Sequence, residues 1–286
     1  MTGRGWEART VVREDVELHC RDWAGAADRR PVLLLHGLAG HAGEWDALAA
    51  ALAPGRRVVA FDQRGHGRST RRPERVDRAA YVADVLAVAD GLGLERPLLL
   101  GQSLGGHTAL LAAAAQPGRF GALVLVEAAA GCSADAPAQI GGLLGGWPLP
   151  FPDRAAAVAF FGGGPGGEVW ADGLEQRPDG WWPRFETEVM VASIAPLAAR
   201  DHWADWAALT CPTLLVLGQH GIVPPAEIDR MLALRPEVRA ASLPGAGHDV
   251  HLERPGELHR LVSELLEEAE EEAEEAEAEG LERLEG

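Results

Sequence analysis

Four stretches of this chain, residues 32–35, 58–61, 98–100 and 123–126, are unbroken runs of apolar side chains, and a fifth, Thr213-Leu214-Leu215-Val216-Leu217, is nearly so. A strand with one wet face alternates polar and apolar residues, so a solid run implies a strand covered on both faces. Residues 45–52, 79–92 and 105–115 carry apolar residues at helical spacing between the first four runs. Strand, helix and strand in succession predict a parallel sheet with helices on both sides, an α/β fold. Residues 10–12 and 16–23 read as an antiparallel pair ahead of it, and 226–234 and 238–243 as a later helix and a last strand.

Three of these runs and the later strand 238–243 stop abruptly at polar, glycine-rich segments. The first ends in His36-Gly37-Leu38-Ala39-Gly40 and the second in Asp62-Gln63-Arg64-Gly65-His66-Gly67-Arg68-Ser69. The third passes into Gly101-Gln102-Ser103-Leu104-Gly105, and the strand ending near Leu243 is followed by Pro244-Gly245-Ala246-Gly247-His248. A serine flanked by glycines between a buried strand and a small-residue helix sits on a tight turn with its hydroxyl raised clear of the sheet. That position suits a nucleophile.

From Ala128 to about Arg200 the regular pattern lapses, and the chain turns rich in Gly, Pro and Trp. An interruption of that length inside a compact domain reads as a functional insertion. The expected organisation is therefore a core of residues 1–128 and 201–268, a cap of residues 129–200, and an acidic tail of residues 269–286. Trp147, Trp170, Trp181 and Trp182 either line a substrate pocket or form the insertion's own core. The final helix, from about Pro255, is expected to fray beyond roughly Glu270, where like charges repeat at i,i+4 spacing.

The formal net charge is −17, yet twelve glutamates and one arginine from Glu264 onward account for −11, leaving −6 for the rest. A mildly acidic body argues against nucleic acid or an anionic membrane as partner. No apolar run approaches the ~20 residues of a membrane span and no leader pattern opens the chain, so a cytoplasmic location is expected. Cys20, Cys132 and Cys211 are odd in number and widely spaced, which suits neither disulfides nor zinc.

In order and placement, the four terminal motifs resemble the α/β-hydrolase superfamily, in particular its capped serine esterases, lactonases and carbon-carbon hydrolases. The resemblance implies a mostly parallel sheet of about eight strands flanked by helices, with an inserted helical cap. It also implies Ser103 as nucleophile and His248 as its base, with the backbone N–H groups of Leu38 and Leu104 as oxyanion donors. The related epoxide hydrolases and haloalkane dehalogenases use an aspartate nucleophile, which the serine here disfavours. No Rossmann glycine pattern, P-loop or HExxH is present, so neither cofactor nor metal is expected.

The chain departs from the family pattern at the third member. Where relatives carry an aspartate after the strand equivalent to 213–217, this chain reads Gly218-Gln219-His220-Gly221-Ile222-Val223-Pro224. Three readings follow: a relocated acid, a Ser-His dyad, or a non-hydrolytic protein that binds a ligand or acts as a cofactor-free lyase or oxygenase. Glu127, ending the run 123–126, is the favoured acid, although it could simply cap the loop entering the insertion. Asp249 is the poorer choice, because adjacent side chains diverge. The expected substrate is a small ester, lactone or related carbonyl compound, apolar or aromatic; neither its identity nor the oligomeric state is legible.

Overall fold

The computed structural model describes the backbone of residues 5–285 and the side chains through residue 275. The chain opens with the antiparallel pair β1 (Glu7–Arg13) and β2 (Val16–Trp23), then enters β3 (Val32–Leu35). A 3-10 turn (Ala42–Trp45) leads into α1 (Asp46–Leu52), and β4 (Val58–Phe61) and α2 (Arg78–Gly91) follow. Next come β5 (Leu98–Gln102), α3 (Leu104–Ala115) and β6 (Ala122–Val126). From β3 to β6 the elements reproduce the alternation expected from the apolar runs, with ends displaced by one or two residues.

The insertion after β6 holds α4 (Ala136–Gly145), α5 (Arg154–Phe160), α6 (Gly164–Asp172), a hairpin of β7 (Leu174–Arg177) and β8 (Gly180–Pro183), and α7 (Thr187–Ala199). It is therefore not purely helical. The core resumes with α8 (Trp203–Ala207), β9 (Thr213–Gly218), α9 (Pro225–Leu234), β10 (Arg239–Leu243), α10 (Val250–Glu253) and α11 (Pro255–Glu285).

Eight strands form one sheet in the order β1-β2-β4-β3-β5-β6-β9-β10. Only the β1–β2 and β2–β4 pairs are antiparallel. Side chains alternate across the strands, so each solid run feeds two cores. Leu33, Leu35, Leu99 and Leu125 pack with Val85 and Val88 of α2, Leu110 of α3 and Trp206 of α8. Leu34, Leu100, Val124 and Val126 pack on the other face with Leu48 of α1 and Leu258, Val262 and Leu265 of α11. This double burial is the physical reason the runs contain no polar residue.

Trp147 and Trp181 of the insertion belong to its own core. Trp147 and Trp181 pack against Phe151, Ala157 and Leu174, Phe161 stacks on Trp170 at 5.5 Å, and Trp182 donates to Asp179. α11 runs on to Glu285, which corrects the expectation that it frays past Glu270. Its Glu/Ala/Leu composition has high intrinsic helix propensity, and Glu270 is tied down by Arg29 and Arg56 at 2.7 Å each. Among the described residues, no helix is long and apolar enough to cross a membrane.

Candidate active site

Ser103 lies between β5 and α3 with φ 50° and ψ −116°, a backbone conformation that costs about 1–3 kcal/mol for a residue with a side chain. The surrounding packing enforces it. The Ser103 N–H donates to Val126 O at 2.9 Å, and a Cβ on Gly105 would overlap the carbonyls of Leu35 and His36. The first turn of α3 is thus pressed against the end of β3, and only glycine permits the approach.

One strand over, Glu127 repeats the device. Gln102 and Val126 are register partners of the parallel β5–β6 pair, so Ser103 and Glu127 leave the sheet side by side, Glu127 with φ 49°. The Glu127 carboxylate is buried and accepts the Gly218 N–H and the Ile222 N–H, each at 2.7 Å, while Oε2 lies 3.4 Å from Nδ1 of His248. A Cβ on Gly221 would overlap this carboxylate. The glycine at the family's usual acid position therefore leaves the volume that the Glu127 side chain occupies.

His248 sits on the loop between β10 and α10, about one-third exposed, with Nε2 3.1 Å from Nε2 of Gln102. The Gln102 amide also donates to the His248 carbonyl at 3.1 Å. The network assigns Nδ1–H to Glu127 and leaves Nε2 as the acceptor, which is the tautomer a general base needs. No hydrogen bond joins Ser103 Oγ to His248 in this conformation; catalytic contacts of this kind commonly tighten only once substrate is present. Asp249 is taken up elsewhere, accepting from Trp170 Nε1 at 2.9 Å.

The His36 loop is built as a support. His36 Nδ1 faces Gly37 O at 2.7 Å, its Nε2 accepts the Gln63 N–H at 3.0 Å, and Gln63 returns a bond to His36 O at 2.6 Å. Asp62 accepts the N–H groups of Ala42 and Arg68. Burial alone would raise the Asp62 carboxyl, but His36 and these two donors hold it below the usual carboxylate range. Burial lowers both His36 and His66, the latter to about 3, and both serve as supports within the loop; His251 lies against Glu44 at 3.2 Å. The loop carries Leu38 against Leu104 at the start of α3, and neither residue's N–H has a protein acceptor among the described residues.

Above Ser103 lies a cavity of about 450 Å³. Leu104, Ile140, Ile194 and Leu197 form its apolar wall, with Glu127 at the base and His107 and Glu227 at its sides. No tryptophan of the insertion lines it. Two residues of this site had no role in the sequence-based reading. Gln102 carries no periodic signal, whereas His107 stands four residues after Ser103, the spacing that returns a helix to the same face. Among the described residues, no group of three or more His, Cys, Asp or Glu is placed to hold a metal ion.

Residues 30–255 match the family model described as the alpha/beta hydrolase fold. The chain belongs to that family. It is 39% identical over 122 residues to a non-heme chloroperoxidase of Streptomyces lividans, covering 42% of this chain and 44% of that one. A non-heme chloroperoxidase of Burkholderia pyrrocinia is 28% identical over 236 residues, 76% of this chain and 84% of its own length. Among solved structures, E-2-(acetamidomethylene)succinate hydrolase superposes with a TM-score of 0.85 at 22% identity, over 92% of this chain and 99% of that one. That likeness establishes the shared fold.

Proposed function

We propose that the protein is a serine hydrolase of small esters, lactones or related carbonyl compounds, working through Ser103, His248 and Glu127. The observation that carries this reading is the Glu127 carboxylate, held by two backbone N–H groups, facing His248 and emerging in register beside Ser103.

Ser103 Oγ attacks the substrate carbonyl carbon while His248 Nε2 takes its proton, and the resulting oxyanion is bound by the Leu38 and Leu104 N–H groups. Glu127 fixes the imidazole tautomer and stabilises its cation. Collapse expels the leaving group with the proton from His248 and leaves an acyl-serine. Water, deprotonated by the same histidine, then attacks the acyl carbon, releases the acid and restores Ser103. For Nε2 to receive the serine proton, the Gln102 amide must yield or share that lone pair. The aliphatic wall of the cavity supports an apolar portion in the substrate.

A fluorophosphonate probe and short p-nitrophenyl esters test the reading. Labelling confined to Ser103, with ester turnover abolished in Ser103→Ala, is expected. Folded protein that neither labels nor turns over any such ester would favour a non-hydrolytic, ligand-binding role for the same cavity.

A further inference from the structure

Two consecutive residues of α6, in the insertion, are bonded to the two loops that the mechanism uses. Val169 O accepts from His41 Nε2 at 2.9 Å, and Trp170 Nε1 donates to Asp249 Oδ2 at 2.9 Å. His41 directly follows the His36–Gly40 loop that carries Leu38, and Asp249 directly follows His248. Both bonds are chemically defined. His41 Nδ1 accepts the Gly43 N–H at 3.1 Å, which leaves Nε2 as the donor. Val169 O lies in the last turn of α6, where carbonyls lack a helical partner, and the N–H four residues on, that of Gly173, turns to Trp170 O instead. A Cβ on Gly173 would lie 2.7 Å from His41 Cδ2, so glycine is what lets the helix end close on the imidazole.

The Trp170 ring is itself held, stacked on Phe161 at 5.5 Å and edge-on to Trp147 at 6.5 Å. On the core side the same two loops meet a second time. Glu44 Oε1 accepts the His41 N–H at 3.2 Å, and its Oε2 lies 3.2 Å from Nε2 of His251, two residues past Asp249, with both side chains buried. Val169, Trp170, Asp249, His251, Glu44 and His41 thus close a circuit through the insertion, the histidine loop and the oxyanion loop. His248 has need of such support, because it is about one-third exposed and follows Pro244-Gly245-Ala246-Gly247, in which Gly245 stands at φ 70°. A displacement of about 1 Å at a catalytic group costs on the order of 10²-fold in rate.

We propose that α6 positions the catalytic loops: Trp170, acting through Asp249, fixes the loop that carries His248, while the Val169 carbonyl, acting through His41, fixes the loop that carries Leu38. One turn of the insertion thereby sets the general base against an oxyanion donor. This rests on the serine-hydrolase reading for the roles of His248 and Leu38. Trp170, Asp249 and His41 all lie outside the lining of the cavity above Ser103, so their effect falls on the rate and not on substrate affinity.

The test compares Trp170→Phe, which keeps an aromatic ring beside Phe161 but has no N–H, with Asp249→Ala, which has no acceptor, and Asp249→Asn, which keeps one. With a short p-nitrophenyl ester, Trp170→Phe and Asp249→Ala should each lower kcat about tenfold with KM within about twofold, as loss of one bond to a charged acceptor predicts, and the double variant should lose no more than either alone. Asp249→Asn should keep kcat to within about threefold. An unchanged kcat, an effect confined to KM, or losses that multiply in the double variant overturns the proposal. Amide hydrogen exchange read by mass spectrometry needs no turnover: residues 244–254 should exchange about tenfold faster in Trp170→Phe than in the wild type, with β5 and β6 unchanged, and equal exchange overturns the proposal. Should Trp170→Phe not fold, Asp249→Ala carries both measurements. A wild type that hydrolyses no ester counts against the hydrolase reading alone, and the exchange result then decides whether α6 holds the loop.

Discussion

The carboxylate of Glu127 fills the volume that a side chain on Gly221 would need, so a glycine on one loop and an acid on the neighbouring strand are two halves of one arrangement. Gly221→Ala should destabilise the protein by about 1–3 kcal/mol through overpacking. In a Glu127→Gly background most of that cost should vanish, giving a coupling of about 1 kcal/mol or more in a urea double-mutant cycle. Additive effects would mean that the two positions do not share the space.

The strained backbone at Ser103 makes a prediction that sets stability against activity. Ser103→Gly should be more stable than Ser103→Ala by about 1 kcal/mol, because only glycine adopts φ 50° without penalty. Both variants should be inactive. Equal denaturation midpoints would show that the turn stores no strain.

Acid should weaken the fold earlier than carboxylates alone require. His66 has its pKa lowered to about 3 by burial, against 6.5 when exposed. Between those values the unfolded chain binds a proton that the folded chain does not, so stability is complete above pH 6.5 and falls steadily toward pH 3. The slope approaches about 1.4 kcal/mol per pH unit for each such histidine. Urea midpoints measured from pH 7.5 to 4.5 should decline, and His66→Gln should flatten the decline. An unchanged slope in that variant would remove His66 from the account.

Arg64 and Asp84 form a buried two-point pair beneath the Asp62–Ser69 loop, with bonds of 2.6 and 2.7 Å. Asp84→Asn leaves the guanidinium uncompensated and should cost about 3–5 kcal/mol in chemical denaturation. A loss below about 1 kcal/mol would mean that solvent reaches the pair.

Most of the fold was legible because the signal was local. Each apolar run needs two covered faces, and that requirement alone led to the parallel sheet. Glu127 was legible as a candidate from its place at the end of a run, but the collision that ties it to Gly221 arises only when β6 and β9 are adjacent. The insertion resisted reading for a related reason: Trp147, Trp170 and Trp181 have no period to show whether they turn toward the cavity or toward Phe151 and Phe161. Only packing decides, and it turns them inward. Arg78 has the least local signal of all, since nothing in Val76-Asp77-Arg78-Ala79 shows which charged residue will be buried away from any carboxylate.

The most direct test of the central claim, that Glu127 is the acid supporting His248, is the steady-state hydrolysis of a short p-nitrophenyl ester by Glu127→Gln beside the wild type and Ser103→Ala. The account predicts a fall in kcat of roughly 10³–10⁴-fold for Glu127→Gln with the fold intact, as expected when a triad loses its acid. A Glu127→Gln enzyme within threefold of the wild type, with Ser103→Ala inactive, would contradict it.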